Sequence, residues 1–363
     1  MGNRHTMAFT IALGLAALFQ FAAVVLALRL NAIYHRRFAW LFISGAGILM
    51  ALWIGTSFIS TIRHPPESIV WDLTLWIQTL ATLLTSILFF AGIATIEPLF
   101  KENEAARQLL ASENAVLNRE VQHSREEMQL AHRVQANLLP RSAPNIESLD
   151  ISFLSRPAEW TSGDYFDFVQ IDDHSLLVTV ADVCGHGLGP ALLMTTSRSY
   201  FRGIARTQEQ VQPILTTWNS EISEDVETGD FITALIVRID LGKRQIEYLG
   251  AGQNGLIIQP DGTAVELERS GPPLGIIPDF AFPKPNDLPL KSGQIMVFCT
   301  DGIHETVGRD GTQFGIQRIC DLITRNAKLS AEQLVNLLDR EVSRFAASPR
   351  PQDDLTAVII KVA

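Results

Sequence analysis

Three long apolar runs open the chain, at about residues 7–28, 38–62 and 69–96. The first two runs contain no charged residue, and the third contains only Asp72, close to its start. Each run exceeds the roughly 20 residues that an α-helix needs to cross the hydrocarbon core of a bilayer. The pattern therefore predicts three transmembrane helices, in a membrane region that covers residues 1–96.

The basic residues predict how these helices are oriented. The segment after the first run holds Arg29, Arg36 and Arg37, whereas the segment after the second run holds only Arg63 and His64 beside an acidic residue. Because cytoplasmic loops carry the excess of lysine and arginine, the first segment belongs in the cytoplasm. Three crossings then place the N-terminus outside the cell and the part of the chain after the third run inside it.

A polar segment at residues 97–140 follows the apolar runs. It contains no glycine, and its many Ala, Glu, Gln, Arg and Leu residues favour a helix that Pro140 ends. A heptad seam can be drawn through this segment, with interruptions, along Leu110, Leu117, Val121, Met128, Ala131 and Leu138. The segment therefore predicts a helical linker. Both a parallel coiled-coil homodimer and a single amphipathic helix that lies on the following domain fit the seam.

Short apolar runs separated by turn residues fill the chain from residue 141 onward. The runs predict strands at Ile151–Leu154, Tyr165–Ile171, Leu176–Ala181, Phe231–Ile239, Gln245–Gly250, Leu256–Gln259, Ala264–Leu267, Gln294–Cys299 and Leu355–Val362. Longer periodic segments predict helices at Leu188–Ile204, Ile214–Val226, Gly315–Arg325 and Ala331–Phe345. Strands that follow one another, with helix pairs inserted in two places, indicate an α+β domain at 141–363.

Charge and cysteine content exclude two kinds of function. The formal net charge of −10 argues against a nucleic-acid partner, because phosphate backbones require a basic surface. The three cysteines, Cys184, Cys299 and Cys320, show no CxxC spacing and lie in or beside apolar runs. They are therefore interpreted as free thiols that pack in the interior rather than as a disulfide or a zinc site.

Four aspartates share one property, since each lies at the end of a predicted strand or in the turn beside it. They are Asp164, Asp182, Asp301 and Asp353. A single aspartate in such a place is ordinarily a turn former or a helix cap. Several carboxylates beside apolar strands are costly to bury unless a cation neutralises them, and Mg²⁺ or Mn²⁺ prefers oxygen ligands of this kind.

The chain resembles the PPM-type metal-dependent protein phosphatases, in particular their bacterial SpoIIE/RsbU-like branch. The resemblance covers residues from about Met128 to the C-terminus. It is carried by an ordered set of motifs: LAHRVQANLLP at 130–140, GDYFDF at 163–168, ADVCGHG at 181–187, FITAL at 231–235, GPPLG at 271–275, TDGIHE at 300–305 and DDLT at 353–356. The resemblance implies an α-β-β-α sandwich with a two-metal centre at one edge of the sheets.

The resemblance also implies roles for particular residues. Asp182 would bridge two Mn²⁺ or Mg²⁺ ions, and the carbonyl of Val183 would complete one metal site. Asp301 and Asp353 would bind the second ion, and Asp164 would hold a metal directly or through a water. Two cations would then polarise the phosphoryl group and lower the pKa of the water that attacks phosphorus in line.

Other positions depart from the family pattern or keep two interpretations. His186 fits either a ligand or general acid, or a histidine that only fixes its loop. Gln253 stands where the family usually has a histidine, and Arg156 is the nearest counterpart of the phosphate-binding arginine of eukaryotic relatives. Cys184, beside Asp182, is interpreted as a packing residue.

The expected function is therefore a multi-pass phosphatase of the bacterial inner membrane with a cytoplasmic catalytic domain. Its substrate would be phosphoserine or phosphothreonine on a regulatory protein that resembles an anti-sigma-factor antagonist. The alternative is a catalytically inert membrane signalling module that binds a partner through a phosphatase-like domain. The four aspartates favour the enzyme.

Overall fold

The computed structural model describes residues 2–34, 37–63, 73–227 and 229–363. Its helices are α1 (Gly2–Tyr34), α2 (Arg37–Arg63), α3 (Leu73–Ala136), α4 (Leu188–Ile204), α5 (Val211–Asp225), α6 (Asp301–Glu305), α7 (Ile316–Arg325) and α8 (Ala331–Phe345). Its strands are β1 (Leu149–Arg156), β2 (Asp164–Gln170), β3 (Ser175–Val183), β4 (Ile232–Asp240), β5 (Gln245–Ala251), β6 (Gly255–Ile258), β7 (Ala264–Leu267), β8 (Asn286–Pro289), β9 (Ile295–Cys299) and β10 (Leu355–Val362). Two compact units divide the chain, at residues 1–121 and 122–363.

The described residues of the first unit contain one candidate membrane span, whereas three were predicted. Within the described ranges, only Thr10–Arg29 of α1 is long and apolar enough to cross a bilayer. Among the described residues of the next two helices, shorter apolar segments lie at Gly47–Ile59 and Thr79–Ala94. Asp72 and the rest of the predicted start of the third run, residues 69–72, lie outside the described residues.

Small residues bring the helices of the first unit close together. Ala23 and Ala27 of α1 pack against Ile93 of α3, and Ala16 packs against Ile54 of α2. A Cβ atom on Gly47 would lie 2.9 Å from the Val24 side chain, so glycine is required at this helix crossing. Close backbone approach through alanine and glycine is the usual way in which helices associate in lipid.

The predicted linker is the second half of a single long helix. Helix α3 continues from the third apolar run to Ala136, and residues 137–139 form a turn before Pro140. Leu110, Leu117 and Val121 of the predicted seam are exposed along α3. Gln135, which interrupts the seam, is instead buried in the second unit.

The second unit is a sandwich of two antiparallel sheets covered by helices. One sheet has the strand order β1-β10-β9-β6-β7, and the other has the order β2-β3-β4-β5-β8. Phe166, Val180 and Phe298 belong to the core between the sheets. The outer face of the second sheet packs on α4 and α5, and that of the first packs on α7 and α8. The expected α-β-β-α architecture is confirmed.

Alternation along the strands explains this arrangement. Side chains of successive residues point to opposite faces of a sheet. On β3, Val178 and Val180 enter the core between the sheets, whereas Leu177 and Ala181 face α4 and α5. Strands that bury both faces therefore consist of nearly continuous apolar residues. These apolar runs allowed the strands to be predicted from the sequence.

Two elements differ from the sequence prediction. The segment at residues 270–290, for which no strand was predicted, contains the short edge strand β8, which pairs with β5. Strands were expected to pair in sequence order, but β1 pairs with β10 and β6 pairs with β9. The five-residue helix α6 was not expected at all. Neither the pairing of distant strands nor a helix of a single turn produces a periodic pattern that can be seen in a sequence.

Candidate active site

Asp164 and Asp182 lie directly opposite each other on neighbouring strands. Asp164 is the first residue of β2, and its Cα partner across the antiparallel β2–β3 ladder is Asp182. Two carboxylates placed directly opposite in a sheet repel each other. Glycine at position 163 is required here, because a Cβ atom would lie 2.9 Å from the carbonyl oxygen of Val183. The backbone therefore brings Asp164, Asp182 and the Val183 carbonyl into one neighbourhood.

Asp301 and Asp353 come from the other sheet. Asp301 begins α6 directly after β9, and Asp353 precedes β10, which pairs with β9. The end of one strand and the beginning of its antiparallel neighbour lie at the same edge of a sheet. A Cβ atom on Gly302 would lie 2.0 Å from the carbonyl oxygen of Asp354 and 3.3 Å from Cβ of Asp353. Because residue 302 is a glycine, the loop that carries Asp301 and the loop that carries Asp353 can lie this close together.

Two threonines connect the edges of the two sheets. The Thr300 hydroxyl donates a hydrogen bond of 2.8 Å to Oδ2 of Asp164, across 136 residues of sequence. The backbone N–H of Thr300 donates to the Thr356 carbonyl, and the Thr356 N–H donates to the Thr300 hydroxyl. All three residues are buried. Thr300 therefore fixes the side chain of Asp164 against the strand end that leads to Asp301.

The loop before Asp164 is held by two further buried side chains that the sequence did not identify. Asp354 accepts hydrogen bonds of 2.8 Å from the N–H groups of Ala158 and Gly163. Gln135 accepts from the Ser162 N–H at 2.9 Å and donates to the Ser162 carbonyl at 2.7 Å. Since both oxygens of Asp354 are engaged by backbone, it orders the loop rather than offering a ligand.

Burial and mutual repulsion make this carboxylate group unstable in its charged form. Burial raises the pKa of Asp164 well above its ordinary value, and the charge of Asp182 adds to this effect. Burial raises the pKa of Asp182 to about 8, with further contributions from Asp301 and Asp353. Asp301 and Asp353 are more open to solvent, yet partial burial also raises the pKa of each carboxyl.

The donor set fits divalent cations such as Mg²⁺ and Mn²⁺. It consists of carboxylate and carbonyl oxygens, which hard cations prefer. In the described part of the chain no lysine or arginine forms an ion pair with any of the four aspartates. No group of three or more His, Cys, Asp and Glu residues in this part of the chain is arranged for a metal. The argument for a cation here is that the carboxylates repel one another, and a bound cation would offset this repulsion.

Three other residues considered in the sequence analysis, His186, Gln253 and Arg156, make different contacts. His186 is exposed, and its Nδ1 lies 3.1 Å from Oε1 of Glu159. Gln253 is buried and donates to the Cys299 carbonyl, at the end of the strand that precedes Asp301. One guanidinium nitrogen of Arg156 pairs with Asp339 and donates to Ser343.

All three cysteines are free thiols, as predicted, but only Cys320 is buried, and Cys184 and Cys299 are partly exposed. Cys184 Sγ accepts a hydrogen bond from the Phe231 N–H. Burial raises the pKa of the Cys299 thiol to about 12, which keeps it protonated beside Asp164.

Comparison with known proteins agrees with this architecture. The family model described as "Stage II sporulation protein E (SpoIIE)" matches residues 172–363. Among curated proteins, the chain is 30% identical over 247 residues to phosphoserine phosphatase RsbU of Bacillus subtilis. That alignment covers 66% of this chain and 71% of the relative.

Solved structures show the same fold. The SiaA-PP2C domain of Pseudomonas aeruginosa superposes with a TM-score of 0.60 at 20% identity, covering 67% of this chain and 98% of that one. The PP2C phosphatase domain and regulatory-domain fragment of SpoIIE from Bacillus subtilis gives a TM-score of 0.53 at 19% identity, covering 60% and 64%. The chain belongs to the SpoIIE family and is a Ser/Thr protein phosphatase with the PP2C fold.

Proposed function

We propose that this phosphatase is metal-dependent, anchored in the bacterial inner membrane, and removes phosphate from serine or threonine of a regulatory protein. One observation carries the chemistry: Asp164 and Asp182 face each other across β2–β3, beside the edge that presents Asp301 and Asp353. When bound, two divalent cations would polarise the phosphoryl oxygens and lower the pKa of an attacking water.

The side chains have separate tasks in this mechanism. Asp182 and the Val183 carbonyl would help to hold the divalent cations, together with Asp301 and Asp353. Asp164 would orient a water or a cation, since Thr300 fixes its carboxyl from the other sheet. Asp354 and Gln135 keep the loop before Asp164 in place. No nucleophilic side chain is needed, so transfer occurs directly to water.

The regulatory substrate is supported by the relatives. The RsbU relative is named a phosphoserine phosphatase, and the motifs at residues 163–187 and 300–356 resemble that branch. A phosphorylated protein similar to an anti-sigma-factor antagonist is therefore the proposed substrate. The exposed seam residues of α3 support the further proposal that two chains pair through this helix.

Membrane anchoring is supported by the surface of the first unit. Large apolar side chains point outward on α1, α2 and the first half of α3, among them Leu18, Phe21, Leu49, Trp53, Leu80 and Leu88. Such a surface is unfavourable in water and suits lipid. A single crossing by α1 and a triple crossing both leave the catalytic domain on the side of Arg29 and Arg37, which is the cytoplasm.

The chemistry can be tested with the full chain in detergent micelles. We expect phosphate release from phosphoserine peptides and from 4-nitrophenyl phosphate when Mn²⁺ or Mg²⁺ is added, and none with EDTA. Asp353→Asn should weaken Mn²⁺ binding in calorimetry as well as activity. If Mn²⁺ binds the wild type but neither substrate is hydrolysed, the domain is an inert partner-binding module instead.

A further inference from the structure

Gln253 lies where the chain crosses from one sheet to the other. It stands in the connection between β5, which belongs to the second sheet, and β6, which belongs to the first. The residue is buried. Its Nε2 donates a hydrogen bond of 3.0 Å to the Cys299 carbonyl of the first sheet, and its Oε1 accepts one of 3.4 Å from the Thr233 hydroxyl of the second. One side chain therefore bridges the edges of both sheets.

Both ends of this bridge lie next to proposed metal ligands. Thr233 is the Cα partner of Asp182 across the β3–β4 ladder, and residues paired in this way lie about 4.5–5.5 Å apart at Cα. Cys299 ends β9, and only one residue separates it from Asp301. Gln253 thus connects the strand neighbour of Asp182, in the second sheet, to the strand end that leads to Asp301, in the first.

Three side chains stand in a row across the edge of the second sheet. Asp182 is paired with Asp164 on one side and with Thr233 on the other, and directly paired residues share a face of the sheet. That face is directed at the first sheet, since Val180 and Leu235, two residues away along their strands, belong to the core between the sheets.

Hydrogen bonds between the sheets therefore lie on both sides of Asp182. On one side the Thr300 hydroxyl donates to Asp164, and on the other side Gln253 bridges from Thr233. A cation held by carboxylates from both sheets requires their separation to be fixed within roughly 0.5 Å. Repulsion between carboxylates of the two sheets acts to separate the edges, and the hydrogen bonds oppose this movement.

We infer that Gln253 is a positioning residue for the metal centre, whose bridge sets the separation between Asp182 and Asp301 and thereby the affinity for divalent cations. This inference rests on the proposed metal-dependent function. Gln253 itself would contact neither the cations nor the substrate. A glutamine suits this task, because its amide both donates and accepts and carries no charge that would add to the repulsion.

The test is Gln253→Met in the full chain, purified in detergent micelles. Methionine has nearly the shape of glutamine but cannot donate to the Cys299 carbonyl. We expect calorimetry to show Mn²⁺ affinity lowered by roughly 10-fold or more, as is usual when a group that orients metal ligands is lost. Two Mn²⁺ ions about 3.5–4 Å apart are magnetically coupled. The EPR spectrum should show this coupling in the wild type and the signal of isolated ions in the variant.

Gln253→His is the rescue variant. A neutral imidazole has one donor and one acceptor nitrogen, so at pH 8 it can replace both hydrogen bonds. It should recover most of the Mn²⁺ affinity and of the magnetic coupling that Gln253→Met loses. A residue that only fills space would show the opposite order, because methionine matches the shape of glutamine better than histidine does.

Gln294→Met is the matched control. Gln294 is a buried glutamine directly before β9, and it also bridges the sheets, since it donates to Gln259 beside the first sheet and to the Pro289 carbonyl of the second. Because a strand advances about 3.3 Å per residue, this bridge lies roughly 15 Å from Cys299, at the opposite end of β9. The control should lower the melting temperature but leave Mn²⁺ affinity and the EPR spectrum unchanged.

The outcomes separate this inference from the proposed function. If Gln253→Met binds Mn²⁺ as tightly as the wild type and gives the same EPR spectrum, the inference is overturned and the function stands. The inference also fails if Gln294→Met loses as much affinity, or if Gln253→His restores none, since stability or packing would then explain the effect. If the wild type binds neither Mn²⁺ nor Mg²⁺, both the function and the inference are overturned.

Discussion

At the scale of single residues, the proposed active site places like charges close together, which lowers the stability of the fold. Asp164 and Asp182 are forced together by the strand register, and Asp301 and Asp353 add to the repulsion. A protein selected only for stability would not keep four carboxylates near one another without a basic partner. Such conflicts are typical of functional sites.

Asp182→Asn should therefore have opposite effects on activity and on stability. Activity should fall by roughly a thousandfold or more, because several kcal/mol of transition-state stabilisation are lost and each ~1.4 kcal/mol is worth tenfold. In EDTA, however, the melting temperature at pH 8 should rise, since the amide carries no charge.

The pH dependence follows from the raised pKa of Asp182, about 8 in the folded chain. An unfolded aspartate ionises near pH 4, so the native state binds more protons between about pH 4 and 8. Stability without metal should thus fall as pH rises through this window, and less steeply in Asp182→Asn. A thermal-unfolding series in EDTA measures both slopes, and parallel slopes would contradict the assignment.

Gly302→Ala tests the contact between the two aspartate loops. The new Cβ atom would meet the Asp354 carbonyl at 2.0 Å, so the loops must separate. Overpacking of this kind costs about 1–3 kcal/mol, and the displaced Asp301 and Asp353 should lower Mn²⁺ affinity in calorimetry. Gly203→Ala, in α4 with open space around it, is the control and should lower neither stability nor Mn²⁺ affinity. Equal behaviour of the two variants would count against the contact.

At the scale of elements, α3 is distinctive because it ends on the catalytic loop. Its last buried residue, Gln135, pairs with both backbone groups of Ser162, two residues before Asp164. A rotation or displacement of this end would act directly on the loop. The helix contains no flexible linker that would absorb such a movement.

Insertions after Lys101 should therefore change activity with helical phase. Adding about one heptad, near two turns, should preserve regulation in membranes, whereas adding about half a heptad should not. Gln135→Ala should remove the difference between the insertions, and Gln122→Ala, an exposed glutamine of the same helix, should not. Identical specific activity for every insertion length would make α3 a simple tether.

The sequence predicted the regular elements well and the tertiary polar contacts poorly. Helix α8 and strand β10 have the predicted bounds, because a Ser330–Gln333 capping box and continuous apolar patterns mark them. The four aspartates could be predicted as a site because turn positions next to strands are visible in a sequence. Gln135, Thr300 and Asp354 were missed because their partners lie 27 to 196 residues away. For Asp354, the available signal in the sequence was a second aspartate next to Asp353, directly before an apolar strand.

At the scale of the whole molecule, charge and hydropathy divide the chain into an apolar N-terminal part, which is the proposed membrane anchor, and an acidic catalytic domain. The basic residues Arg29 and Arg37 border the one candidate span found among the described residues, Thr10–Arg29. The proposed orientation therefore depends on very few side chains, and substitution of these can test it.

A reporter enzyme that is active only after export should be inactive when fused after residue 363. Replacement of Arg29, Arg36 and Arg37 by glutamine should raise reporter activity, because the charge difference that retains this segment in the cytoplasm is lost. Replacement of Arg4 by glutamine is the control and should not raise it. Strong reporter activity from the unaltered chain would refute the orientation.

The pairing of β1 with β10 has a consequence for synthesis on the ribosome. Leu149 pairs with Val362, more than two hundred residues further along the chain. The first sheet therefore cannot close during translation until β10 has emerged, and the same stretch supplies Asp353. Helices α1 and α2 are made long before this and can insert into a membrane while the enzyme is still unfolded. A nascent or truncated chain could accordingly insert into the membrane without phosphatase activity. Hydrolysis would begin only after β10 has been made and the first sheet has closed.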